Sequence, residues 1–127
     1  MLVDTDVLIW YLKGNKKASA VLGGLGQFSI SAVTYMEILQ GIRNRMELNA
    51  WKSFLKNRDI RQILLDHEIT TKAMYWMEEF FLSHQLRMAD ALIAATTDVY
   101  GLELLTGNDA DYKFLPGLTI KTFKVFV

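Results

Sequence analysis

The chain has 127 residues, 51% of them hydrophobic, with 14 basic and 14 acidic side chains and a formal net charge of zero. That is long enough to bury a core within a single domain spanning 1–127 and apolar enough to fill it, which excludes a disordered tail. Zero net charge gives no direct signature of nucleic-acid binding; the absence of cysteine excludes a disulfide framework and a thiolate metal site, and two histidines, His67 and His84, are too few for a typical zinc site.

Charge or turn residues break the apolar segments well before the roughly eighteen residues needed to span a bilayer. The expectation is a cytoplasmic protein with no signal peptide and no membrane span. Any metal must then be held by carboxylates, which favour hard cations such as magnesium or manganese.

Met1-Leu2-Val3 is apolar, and the period changes after it, because Leu8, Trp10, Tyr11 and Leu12 suit a helix face. This predicts a buried strand ending at Val3 or Asp4 and then a helix capped by Asp4 or Thr5. Asp4 thereby stands at the carboxyl end of a strand, where open α/β sheets bind ligands. Taken alone, Asp4 reads first as a helix cap and Asp6 as a first-turn acid favoured by the helix dipole. An Asp4-x-Asp6 pair after an apolar strand also opens aspartate-based phosphotransferases.

Lys13 to Lys17 forms a basic turn, Ala18 to Leu22 predicts a short helix ending at Gly23-Gly24, and Phe28 to Ser31 alternates like a second strand. From Ala32 to about Asn44 the spacing predicts a helix that buries Val33, Met36, Leu39 and Ile42. Glu37 has two readings: Thr34-Tyr35-Met36-Glu37 matches a capping box, whereas Ser31 is an equally good cap and leaves Glu37 inside the helix. Met46 to Asn57 continues helical, and Arg58 to Leu65 suits a third strand. The basic bias of this section, from Arg43 to Arg61, reads as a solvated exterior.

His67 to Ser83 predicts a long helix in which Ile69, Ala73, Trp76, Met77, Phe80 and Phe81 cover more than one face. Such breadth calls for burial on two sides, against another helix or a second subunit. His67 and His84 read as capping or surface groups. From Met88 an alanine-rich helix carries Asp90 where the pattern would accept a core residue. Arg87 is a candidate partner and the helix dipole another explanation, but a charge in so apolar a helix is costly unless paired or metal-bound. Leu102 to Leu105 predicts a further buried strand, Thr106 to Tyr112 a polar turn at its carboxyl end, and Leu118 to Val127 a last strand at an edge.

Alternating strands and helices imply an α/β sandwich with a mostly parallel central sheet flanked by helices. Asp4, Glu37, Asp90 and Asp111 then face one rim. Clustered carboxylates raise one another's pKa values, and a divalent cation removes that conflict.

Four stretches in order resemble the motifs of PIN-domain ribonucleases: Val-Asp-Thr-Asp at Val3 to Asp6, Ser-Ala-Val-Thr-Tyr-Met-Glu-Ile-Leu-Gln-Gly at Ser31 to Gly41, Arg-Met-Ala-Asp-Ala-Leu-Ile-Ala-Ala-Thr at Arg87 to Thr96, and Leu-Thr-Gly-Asn-Asp-Ala-Asp-Tyr at Leu105 to Tyr112. The likeness is strongest to the VapC-type toxins of toxin–antitoxin pairs, and it covers nearly the whole chain. It implies a PIN-like three-layer fold and a catalytic quartet of Asp4, Glu37, Asp90 and Asp111. Asp4, Asp90 and Asp111 would be the metal ligands, with Asp6, Thr106 and Asn108 as polar supports. It further implies magnesium- or manganese-dependent endonucleolytic cleavage of RNA by a metal-activated water, leaving 5′-phosphate and 3′-hydroxyl ends, together with antitoxin binding and homodimerisation. Two residues depart from the pattern: Tyr112 stands where the family often has Phe, and Asp109 competes with Asp111 for the fourth acid.

Two other classes stay open. One is a phosphotransferase using Asp4 as nucleophile. The other is a non-catalytic dimeric interaction module whose acids are helix caps.

Overall fold

Leu2 and Val3 are fully buried and form β1 (Leu2–Val3), the middle strand of a five-stranded sheet. β2 (Ser29–Ser31) and β3 (Arg61–Ile63) lie on one side of it, β4 (Glu103–Thr106) and β5 (Thr119–Thr122) on the other, in the order β3-β2-β1-β4-β5. Every pairing is parallel. The computed structural model describes residues 1–125, so the end of the strand expected over Leu118 to Val127 lies outside the described residues at 126–127.

Successive strand residues point to opposite faces. Leu2 and Leu104 therefore enter one core with Ile69, Trp76, Ile93 and Tyr112, while Val3 and Leu105 enter a second with Val7, Leu22, Ile30 and Trp51. A fully buried side chain of this size stabilises by about 1.5–3 kcal/mol. Helices α1 (Thr5–Leu12), α2 (Lys16–Leu25), α3 (Ala32–Gln40), α4 (Arg45–Asn57), α5 (His67–His84) and α6 (Met88–Val99) connect the strands. The chain leaves β1 towards β2 and β3 and returns to β4 on the other side, so the strand order reverses between β1 and β4. Ligands of open α/β sheets sit at the carboxyl ends of strands flanking such a reversal.

Several expectations are corrected. α2 runs through Gly23 and Gly24 to Leu25. Asn15 caps its start by accepting from the Ala18 amide, and Gly26, at φ 69° and ψ −121°, takes a positive-φ conformation open to glycine and ends it. α3 stops at Gln40, because Asn44, expected near its end, caps α4 instead by accepting from the Glu47 amide. Val33, Thr34 and Ile38 form the buried side of α3, and helical spacing sends Met36 to the opposite side, where it is 51% exposed. α5 buries Ile69, Ala73 and Trp76, but Met74, Tyr75, Phe81 and Leu82 on its other side face solvent. Among the described residues no helix is long and apolar enough to cross a membrane.

Candidate active site

Asp4 follows β1 directly and caps α1, so one residue ends the strand and begins the helix. Its Oδ1 accepts from the Thr5 amide at 2.8 Å. Its Oδ2 accepts from Thr106 Oγ1 at 2.8 Å and from the Tyr112 hydroxyl at 3.0 Å. Thr106 is the last residue of β4, and the Asp4 amide donates to the Leu105 carbonyl, so the ladder across the strand-order reversal places the two side by side.

Asp90 sits half-buried in the first turn of α6, and its Oδ1 accepts from the same Tyr112 hydroxyl at 3.2 Å. No ion pair among the described residues joins it to Arg87; the pairs present are Arg43–Glu47 and Lys72–Asp98. Ser31 caps α3 by accepting from the Val33 amide at 3.1 Å, which removes the capping-box reading of Glu37. Glu37 instead reaches across to α1, where Thr5 Oγ1 donates to its Oε1 at 2.6 Å and Thr34 Oγ1 lies 3.0 Å from the same hydroxyl.

Asp6 ties down the loop after β4. Its Oδ2 accepts from the Gly107 amide at 2.9 Å and from Asn108 Nδ2 at 3.1 Å, and its Oδ1 accepts from the Val7 amide. The Asn108 amide donates to Thr106 Oγ1 at 3.0 Å. Asp111 closes a short 3-10 turn over Asp109–Asp111 and is exposed. Asp111, rather than Asp109, is among the charges acting on Asp6 and Asp90.

Burial raises the Asp4 carboxyl to about 6, with Asp6 adding to the rise against the opposing bonds from Thr106, Thr5 and Tyr112. Burial also raises Asp90 to about 6, helped by the charges of Asp4, Asp111 and Glu37. Asp6 is raised chiefly by burial. Burial, and then the facing carboxylates of Asp4 and Asp90, push the Tyr112 phenol far above its ordinary range, so it keeps its hydrogen.

Among the described residues no three His, Cys, Asp or Glu groups stand in a geometry that could hold a metal ion. Magnesium, however, is commonly held by one or two carboxylates while keeping several waters, not by a closed protein cage. Asp4 and Asp90 fit that donor chemistry: both are acids, they share one hydroxyl, and neither has a cationic partner among the described residues.

A PIN-domain family model matches residues 1–117. The chain belongs to the PIN-domain family. This PIN domain is 33% identical over 112 residues to ribonuclease VapC10 of Mycobacterium tuberculosis, a match covering 85% of this chain and 82% of that protein. Among solved structures it is similar to a toxin–antitoxin complex from Klebsiella pneumoniae, at 26% identity and a TM-score of 0.77 over 97% of this chain and 98% of that one. It also shares its fold with DNA-bound VapBC from Salmonella typhimurium, at 20% identity and a TM-score of 0.82 over 95% and 96% of the two chains. The PIN-like three-layer architecture expected from the sequence is the one observed.

Sequence reasoning missed the contributions of Thr5, Thr34 and Gly107. Gly107 is the most constrained of these. A Cβ there would lie 2.6 Å from Asp6 Oδ2 and 3.4 Å from the Phe123 carbonyl oxygen. Asp6 cannot swing away without losing the Gly107 and Asn108 bonds that hold the loop. Gly107→Ala is expected to cost about 1–3 kcal/mol, as overpacking does. Thermal melts of Gly107→Ala, Asp6→Ala and the double variant should give a combined loss smaller than the two single losses together, because both act on one contact.

Proposed function

We propose that this PIN domain is a magnesium- or manganese-dependent endoribonuclease and the cytoplasmic toxin of a type II toxin–antitoxin pair. One observation carries the reading: Asp4 and Asp90, 86 positions apart in the sequence, converge on one hydroxyl at the strand-order reversal, with the charges of Asp111 and Glu37 acting on Asp90. Asp4 and Asp90 would hold the cation directly, and Asp111, expected as a third ligand, would act from the exposed rim through its charge. Bound by the first two, the cation would make a water more acidic and offset the charge of an RNA phosphate.

The chain's own groups prepare that chemistry. Thr106 fixes one Asp4 oxygen and the α1 cap fixes the other, so the carboxylate is held before any substrate arrives. Asp6 keeps the loop carrying Asn108 against the site. Glu37, oriented through Thr5, is the group assigned to take the proton from the attacking water. Attack by water instead of the ribose 2′-hydroxyl gives 5′-phosphate and 3′-hydroxyl ends.

A groove of about 550 Å³ lined by Ile9, Leu12, Ile38, Ile42 and Trp51 borders Glu37 and offers apolar surface for an antitoxin segment. The solvent-facing side of α5, with Met74, Tyr75, Phe81 and Leu82, supports a homodimer. The test is incubation of purified protein with defined RNAs in magnesium, manganese or EDTA. Cation-dependent internal cleavage with 5′-phosphate ends is expected. Cleavage that persists in EDTA, or products ending in a 2′,3′-cyclic phosphate, would overturn the mechanism.

A further inference from the structure

Among the described residues Tyr112 is the one side chain that touches both Asp4 and Asp90 through hydrogen bonds, and it does so with a single hydrogen. Its ring is 1% exposed and belongs to the core beneath α5 and α6, while its amide donates to the Asp109 carbonyl at the end of the 3-10 turn. Ring and backbone are therefore fixed independently of the hydroxyl. A buried phenol normally finds one acceptor. Here it stands between two like-charged acceptors on different elements, one at the end of β1 and one in α6, which would otherwise be driven apart.

We propose that Tyr112 is a positioning residue whose hydroxyl holds Asp4 and Asp90 at a common span in the cation-free protein, so that one divalent ion meets both. The inference rests on the reading above that a divalent ion binds at this site. Phe at position 112 would keep the packed ring and delete the tether alone. The ion would then have to gather two carboxylates that have relaxed away from each other, and its affinity falls.

The test is calorimetric titration of manganese into folded wild-type and Tyr112→Phe protein without RNA, with cation-free melts as the control for folding. The Kd of Tyr112→Phe is expected to rise about 10-fold or more, the range for groups that orient metal ligands, with unchanged stoichiometry and with cleavage recovering as manganese is raised. Equal or tighter binding by Tyr112→Phe would overturn the tether and leave the cation site standing. No binding by wild type would remove the cation reading and the tether together.

If Tyr112→Phe does not fold, wild-type protein carrying 3-fluorotyrosine replaces it, its resonances assigned from Phe substitutions at Tyr11, Tyr35, Tyr75 and Tyr100. Magnesium should move the Tyr112 resonance most. A Tyr112 resonance that stays still while another moves would sink the proposal.

Discussion

Without divalent cation the protein is expected to melt at a higher temperature near pH 4.5 than at pH 7.5, the reverse of the usual behaviour of paired carboxylates. Asp4 has a native pKa of about 6 against an ordinary value of 3.8, and Asp90 is raised to about 6 as well. Between those values the native state binds more protons than the unfolded state, so stability falls as pH rises through the window and levels off above it. Asp4's shift corresponds to about 3 kcal/mol in full, of which about 2 kcal/mol is lost between pH 4.5 and 7.5, and Asp90, more open to solvent, adds less. For a chain of this length the drop is on the order of 10 °C. Saturating magnesium should restore most of it at pH 7.5, since an ion at 100 times its Kd stabilises by about 2.7 kcal/mol. It should do little at pH 4.5, where protons compete for the same oxygens. Cation-free melting temperatures that climb steadily from pH 4.5 to 7.5, or a magnesium shift equal at both ends, would contradict the carboxylate cluster.

The parts of this molecule legible in the sequence are those written in local pattern. The change of period after Val3, the alternation at Phe28 to Ser31 and the alanine-rich run from Met88 each mark an element, and their alternation implies a parallel α/β sheet, which is the observed architecture. Helix ends were less legible, because a cap is decided by one side chain choosing among competing amides: Ser31 takes the start of α3, and Asn44 starts α4 instead of ending α3. Met36 was misplaced for a related reason. A short helix with apolar residues on several sides, as in Val33, Tyr35, Met36, Ile38 and Leu39, leaves its buried side open to more than one phase.

The site itself depends on pairs that no local pattern encodes. Asp4 and Tyr112 are separated by 108 positions, Asp6 and Gly107 by 101. Composition and periodicity show that Asp90 is out of place in its helix but not what it faces. The four ordered motifs point to one rim, and in the sequence the Phe-to-Tyr departure at position 112 is a single added oxygen. Only its contact with two carboxylates gives the added oxygen a consequence.

Asp90→Asn is expected to move stability and activity in opposite directions. In the cation-free protein at pH 7.5 the amide oxygen still accepts from Tyr112, while the charge that Asp4, Asp111 and Glu37 oppose in α6 is gone. The carboxylates left behind repel less, and the melting temperature should rise by roughly 3–5 °C for each kcal/mol relieved. Magnesium should then no longer shift the melt. Cleavage should fall by at least about 100-fold, beyond what is lost when only a supporting partner of a metal ligand is removed. A helix acid that merely answers the dipole behaves differently: replacing it with Asn costs a few tenths of a kcal/mol and leaves any chemistry intact. Circular dichroism melts with and without magnesium, run beside the RNA cleavage assay on the same preparation, separate the two. A variant that is less stable than wild type yet still cleaves would return Asp90 to an ordinary place in the first turn of α6.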